Sequence, residues 1–310
     1  MAIVYNEAAL AKAVAVLSRH ASVESAVAEL GCSYGGLKSA MRKAGMNPPS
    51  AYLARNVGLQ GSSRTRVLVI PDMHIPYHDK GVWDIMLAAV RKLQPDHVVV
   101  IGDFIDCFEI SDFPKPADRK TRFEDEIAAA NEELHRLDAA HRGKPTTYCM
   151  GNHEHRFDRY LAKRAPELSG LISIEDLLGL RGRGYEVVPY GEDTQIGKIH
   201  FSHEFGPMGK YAGHKTLAAM GHCCVFGHIH TAQVIYDGFT TGERHVAMAV
   251  GWGGDYESLA FAYKRKAAAK KEWIHGFGWV EIDDTTGNGW VQFVPIIDGQ
   301  AVVAGQEVRA

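Results

Sequence analysis

The sequence predicts an α/β protein, a four-layer α/β/β/α sandwich preceded by a small all-α domain. Three observations predict it. Between Thr65 and Met150, short apolar runs alternate with amphipathic helical segments, the pattern of parallel strands joined by right-handed crossovers. From Tyr185 onward strand-like runs separated by turn signals dominate, enough for a second sheet packed on the first. Residues 1–57 instead carry helical stretches punctuated by glycine.

Taken in order, Asn6 caps an Ala- and Leu-rich helix that runs to about Arg19. Ser22 caps Val23–Leu30, and Ser33 caps Tyr34–Lys43. The last two stop at Gly31 and Gly45, because glycine leaves a helix cheaply in the left-handed conformation. Leu37 and Met41 would face Val23, Val27 and Leu30, leaving Lys38, Arg42 and Lys43 outside. Two short helices around a tight glycine turn, the second one basic, resemble the small helix-turn-helix domains of DNA-binding proteins. The resemblance implies DNA as a partner, contacted by Lys38, Arg42 and Lys43. A helical cap or dimerisation element is the alternative. Residues 1–60 hold six basic side chains against three acidic ones in a chain of net charge −3, so the acidic excess lies downstream.

Residues 58–64 read as a linker, and 65–310 as the second domain. There Val67–Ile70, His97–Ile101 and Thr146–Met150 are buried strands, and Val82–Leu93 and Phe123–Leu137 are helices. Tyr185–Val188, Lys198–Ser202, Cys223–Phe226, Gln233–Tyr236, Arg244–Val250, Trp279–Ile282 and Trp290–Pro295 are further strands. Ala267–Lys271 reads as a solvated helix end, and Lys115, Arg119, Lys120 and Arg122 as a solvated loop or, alternatively, a guide for a phosphate backbone. No apolar run is long enough to span a bilayer, no secretory pattern opens the chain, and five cysteines include an adjacent pair. A cytoplasmic protein without a membrane partner or disulfide framework is expected.

Five short motifs follow strand-like runs: Asp72-Met73-His74, Gly102-Asp103-Phe104-Ile105-Asp106, Gly151-Asn152-His153-Glu154, Ser202-His203 and Gly227-His228-Ile229-His230. Asp72 and His74, two apart in an extended chain, would point the same way. Asp103 can bridge two cations about 3.5–4 Å apart. Asn152 adds a neutral oxygen, and His203, His228 and His230 add imidazoles. Mixed oxygen and nitrogen donors suit transition metals better than calcium.

Together the motifs resemble those of the calcineurin-like metallophosphoesterase superfamily, over roughly Thr65 to Phe293. The resemblance implies two divalent cations, manganese first, with iron, zinc, nickel or cobalt as alternatives. Asp72, His74, Asp103 and His230 would hold metal 1, and Asp103, Asn152, His203 and His228 metal 2. A hydroxide bridging the metals would attack a phosphate ester. His153 would face the substrate as an acid, oriented and kept protonated by Asp106. Arg156 would either grip a substrate phosphate or pair with a nearby acid. His155 is expected outside the ligand set, His214 and Lys215 on a helix or rim, and Cys107 is not needed as a nucleophile. The family's protein phosphatases carry Arg after the second Asp of Gly-Asp-x-x-Asp. Cys107 stands there instead, which argues against that branch. The fusion of a helix-turn-helix-like segment to such a domain makes a phosphodiesterase or nuclease on nucleic acid the expected activity. The alternatives are a phosphomonoesterase or small cyclic-nucleotide phosphodiesterase, and a DNA-binding regulator with a scaffold phosphoesterase domain. The fusion also fits a phage or mobile-element setting.

Overall fold

Alternate residues of the first strand, β1 (Arg64–Ile70), enter different apolar clusters: Val67 and Val69 join one, Leu68 and Ile70 the other, and all four are fully buried. A strand covered on both faces needs a layer on each side. The computed structural model describes residues 63–310 apart from 116–120, 239, 241, 259–260 and 262–270. The helical segments expected in 1–57, with Lys38, Arg42 and Lys43, lie outside the described residues, as do Arg119, Lys120 and Ala267–Lys270. Arg64–Ala310 forms one compact unit.

β1 pairs in parallel with β2 (His97–Val100), β2 with β3 (Thr146–Cys149), and β3 with β4 (Glu186–Val188). The crossovers are helical. α1 (Lys80–Leu93) links β1 to β2, and α2 (Phe123–Ala140) links β2 to β3. α3 (His155–Arg164) and the single turn α4 (Ile174–Leu177) lie between β3 and β4. The Asp79 carboxylate caps α1 by accepting from Val82 N at 3.0 Å. The face of α1 that includes Trp83, Met86, Leu87 and Val90 is buried. Glu124 and Asp125 place negative charge in the first turn of α2, where the helix dipole favours it.

The second sheet contains β5 (Thr194–Ile196), β6 (Ile199–Ser202), β7 (Cys223–Phe226), β8 (Ala232–Gly238) and β9 (Arg244–Val250), in the order β5-β6-β7-β9-β8. α5 (Ala212–Met220) covers its outer face, where Leu217 packs with Phe226, Ala247 and Ala249. β10 (Gly276–Asp283) returns to the first sheet antiparallel beside β1, and β11 (Gly289–Pro295) pairs antiparallel with β10 at the sheet edge. A hairpin of β12 (Gln300–Val303) and β13 (Gln306–Arg309) ends the chain. Between the sheets lie Val67, Val69, Val99 and Ile101 from one side and Phe201, Val225, Met248 and Val250 from the other. The four layers are those expected.

Cys223–Phe226 and Arg244–Val250 form the strands expected for them. α3, β5, β12 and β13 were not foreseen. The α3 sequence buries only Arg156, Phe157 and Leu161, too few apolar residues to register a helical period. His214 and Lys215 are exposed on α5, as expected.

Glu126, fully buried in α2, accepts from Glu109 N at 3.0 Å and so supports the short 3-10 segment Phe108–Ile110. Burial pushes its carboxyl up from 4.5 to about 8. The native state therefore takes up a proton that the unfolded chain has released, and its stability falls as pH rises from 4.5 to about 8. Glu126→Gln should flatten that fall by a few kcal/mol. Thermal melts across the interval check this; parallel curves for the two proteins would refute it.

Candidate metal centre

Five strand ends meet at one edge of the sandwich. Asp72 and His74 follow β1, Asp103 follows β2, and Asn152 and His153 follow β3. From the second sheet, His203 follows β6, and His228 and His230 follow β7. Their side chains gather in three clusters: Asp72, His74 and His230; Asp103, His203 and His228; His74, Asp106 and His153. Within each, the potential donor atoms lie within 4.8 Å of one another.

His74 Nε2 and His230 Nε2 stand 3.0 Å apart, with Asp72 Oδ2 3.2 Å from the latter. In the second cluster Asn152 Oδ1 lies 3.0 Å from His203 Nε2 and 2.9 Å from His228 Nδ1, and Asp103 Oδ2 is 3.3 Å from His203 Nε2. Asp72 is wholly buried, and its Oδ1 finds no hydrogen-bond donor among the described residues. Facing imidazole nitrogens and an orphaned buried carboxylate oxygen would be costly in a dry core. They are a donor set that divalent cations satisfy.

The outward atoms of the rings are held as well. His74 Nδ1 is 3.0 Å from Asp106 Oδ2, and His203 Nδ1 donates to Ile101 O at 3.0 Å. His228 Nε2 is 3.5 Å from Glu204 Oε2, and the Tyr190 hydroxyl donates to the same Glu204. Such partners fix which nitrogen faces inward. Trp252 stacks on His230 at 5.3 Å, and Phe261 meets His74 edge-on at 5.2 Å.

His74 is not in the extended conformation expected. Its φ is 54°, and those of Asp103, His228 and His230 are 47°, 65° and 59°. Each such residue costs about 1–3 kcal/mol, a strain the surrounding structure must hold. Asp72 and His74 converge because the chain turns between them, not because they alternate along a strand.

Glu154 supplies much of that hold. Its carboxylate, fully buried, accepts from Asp103 N and Gly151 N at 2.9 Å through Oε2, and from Phe104 N at 2.9 Å and the Tyr148 hydroxyl at 2.7 Å through Oε1. One side chain thus joins the loops that carry Asp103 and Asn152. The loops touch so closely that a Cβ on Gly151 would lie 2.2 Å from Asp103 Oδ1. Sequence reasoning quoted Glu154 in its motif without giving it a task, and passed over Glu204. The signal for Glu204 was its place directly after His203.

His153 lies beside Asp106, the carboxylate expected to orient it, and beside Asp103 as well. Its Nε2 is 3.6 Å from Asp103 Oδ2, and its Nδ1 is 3.3 Å from Asp106 Oδ2 and 2.9 Å from Asp106 O. The Asp106 carboxylate is closer to His74 than to His153, so it serves two rings. Burial works against the His153 imidazolium, but Asp103 and Asp106 outweigh it and raise the group above its usual value. Burial likewise opposes protonation of His203, yet Asp103 and Asp72 push it to about 10. Burial and the neighbouring His153 lower His74 to about 4, leaving it neutral. Burial raises the Cys107 thiol well above its usual range, which does not suit a nucleophile.

Arg156, nearly buried, donates to Asp106 O at 2.9 Å and Oδ1 at 3.2 Å, and its other terminal nitrogen is 2.8 Å from His153 Nε2. It pairs with an acid while also lining a cavity of about 860 Å³ whose wall includes Asp103, Asn152, His153, His228 and His230. His155 lies apart from the clusters, stacked on Tyr190 at 5.0 Å. Lys115 bonds to Ser111 and Phe113, and Arg122 sits at the N-terminus of α2.

Glu154→Ala should strand several buried donors at about 1–3 kcal/mol each and loosen both loops. It should lower Tm and the bound metal content measured by mass spectrometry. Glu204→Ala should keep Tm but weaken metal binding about 10–100-fold in calorimetric titration. Unchanged metal content in both would show that neither carboxylate positions a ligand.

The sequence profile of calcineurin-like phosphoesterases matches residues 65–247. The Gene 54 proteins of mycobacteriophages D29 and L5 are 26% and 25% identical over 77% and 78% of this chain, and 97% of each relative. Among solved structures, Vacuolar Protein Sorting 29 of Cryptosporidium parvum aligns at a TM-score of 0.39 and 16% identity, over 80% of this chain and 99% of that one. The E. coli phosphoesterase Yfce aligns at 0.36 and 11%, over 70% and 91%. With the matched region spanning more than half of its length, the chain belongs to the calcineurin-like phosphoesterase family.

Proposed function

We propose that this phosphoesterase is a two-metal phosphodiesterase acting on nucleic acid. The observation that carries the reading is the shared cavity: both metal-fitting clusters contribute to a wall that also holds His153, Arg156, Lys210 and Lys271. Asp72, His74, Asp103 and His230 would hold one cation, and Asp103, Asn152, His203 and His228 the other, with manganese the first candidate. Bound there, the cations would lower the pKa of water and neutralise phosphoryl charge.

The protein's own groups do the rest. His153, its pKa raised by Asp103 and Asp106, gives a proton to the leaving oxygen once a substrate phosphate has drawn the Arg156 guanidinium, which donates to Nε2 in this structure, away from that nitrogen. Arg156 then lends positive charge to a phosphoryl oxygen. Phe113, Met208 and Trp273 give the cavity apolar surface beside its cations, which suits a substrate with bases better than a bare phosphate. Residues 1–57 act as a helix-turn-helix domain that delivers the site to DNA through Lys38, Arg42 and Lys43. Residues 58–64 link it to the catalytic domain at 65–310.

His153→Ala should keep its metal content and lose about 10²–10⁴-fold in turnover. Wild-type protein with Mn should cleave DNA and bis-p-nitrophenyl phosphate faster than p-nitrophenyl phosphate. Preferred hydrolysis of the monoester would replace this reading with a phosphomonoesterase. DNA binding without turnover under any metal would leave a regulator with a scaffold domain.

A further inference from the structure

Arg156 forms part of the wall of the active-site cavity. The same side chain lines a second, shallow depression whose other walls are Ile110, Asp112, Arg159, Tyr160, Lys163 and Arg164. Arg156, Arg159, Tyr160 and Lys163 fall at helical spacings of three and four along α3, so they share one face. Arg156 is paired with Asp106, and the other three cations, Arg159, Lys163 and Arg164, share the depression with one acid, Asp112. Asp112 pairs with Lys163 at 2.8 Å, but both side chains are more than half exposed, so the pair is weak and open to exchange with another anion. Aromatic surface is interleaved with this charge. Phe113, 50% exposed, lies under the Arg156 guanidinium at 5.6 Å and lines the active-site cavity, and Tyr160 is 39% exposed in the depression.

We infer that this face of α3 continues the substrate groove and holds a single strand of nucleic acid on one side of the scissile phosphate. The inference rests on the phosphodiesterase reading of the site. From Arg156 to Lys163 the helix rises about 10 Å, which matches about three phosphates of a stacked strand. Phosphates meet Arg159, Lys163 and Arg164 while bases lie against Tyr160 and Phe113. This combination of a cationic track and stacking surfaces binds single strands with little sequence preference. An acidic protein segment would use the charge but leave the aromatic surface without a task.

The test uses the full chain with its metals, Arg159→Ala/Lys163→Ala, Tyr160→Ala, and a charge-matched control, Arg91→Ala/Arg142→Ala. Arg91 and Arg142 lie at the carboxyl ends of α1 and α2, away from the strand ends that carry the site. Binding of a fluorescent oligothymidylate is followed by anisotropy against salt, with bis-p-nitrophenyl phosphate turnover alongside. The double variant should bind about tenfold more weakly, with a salt slope shallower by about 1.4. Tyr160→Ala should weaken binding about tenfold with the slope unchanged. All variants should keep wild-type turnover of the small diester. Binding equal to that of the control, or displacement of the oligonucleotide by polyglutamate at equal charge, overturns the track and leaves the catalytic reading untouched. Lost small-diester turnover in the wild type overturns the catalytic reading instead, and the binding arm still decides the track.

Discussion

The arrangement depends on one buried carboxylate. Glu154 gathers donors from the loop after β2 and the loop after β3, and no water-exposed side chain could bind them as firmly. Because those loops meet, Asp103 and Asn152 reach the same cavity, and because Gly151 has no side chain they can meet at all. The positive φ of Asp103 is then a consequence of a fixed junction, not a local defect. A carboxyl group in a dry core is normally a liability, and burial and nearby Asp103 raise this one above its usual value. Here several donors compensate it, and its effect is to hold other acids at short range.

That crowding sets the electrostatics. Asp72, Asp103 and Asp106 are all buried within one cluster of imidazoles. Burial disfavours each carboxylate, and the surrounding rings reverse the outcome. The rings do not respond alike: Asp103 with Asp72 drives His203 up and Asp103 with Asp106 drives His153 up, while burial and a neighbouring ring drive His74 and His228 down, even though Asp106 lies 3.0 Å from His74. A single pocket therefore holds rings whose preference for the proton differs, set by the balance of burial, neighbouring rings and acids around each.

Much of this was legible in the sequence, for a physical reason. Strands buried on both faces leave long apolar marks, so β2, β7 and β9 could be read nearly to the residue, while β1 begins three residues before its apolar run. The motifs follow directly on those marks, so the elements carrying Asp72, Asp103, Asn152, His203, His228 and His230 could be ordered without coordinates. What stayed hidden depended on geometry that composition does not encode. His74 turns where alternation promised extension. Asp106 serves His74 as well as His153. α3 is amphipathic through arginine stems and two apolar residues, so no hydrophobic period announced it. Glu204 acts through a ring that only folding brings near it.

The donors are drawn from both sheets. Asp72, Asp103 and Asn152 ride on one, and His203, His228 and His230 on the other. The two sheets are also joined by the apolar layer containing Val69, Ile101, Phe201 and Met248. An ion coordinated at the shared edge would act as a rivet across that layer. Its binding energy would then add to the cohesion of the sandwich by mass action. A substitution deep between the sheets would loosen the rivet without touching a ligand. For such a molecule, how tightly it holds metal and how firmly its halves adhere are a single equilibrium read at two ends.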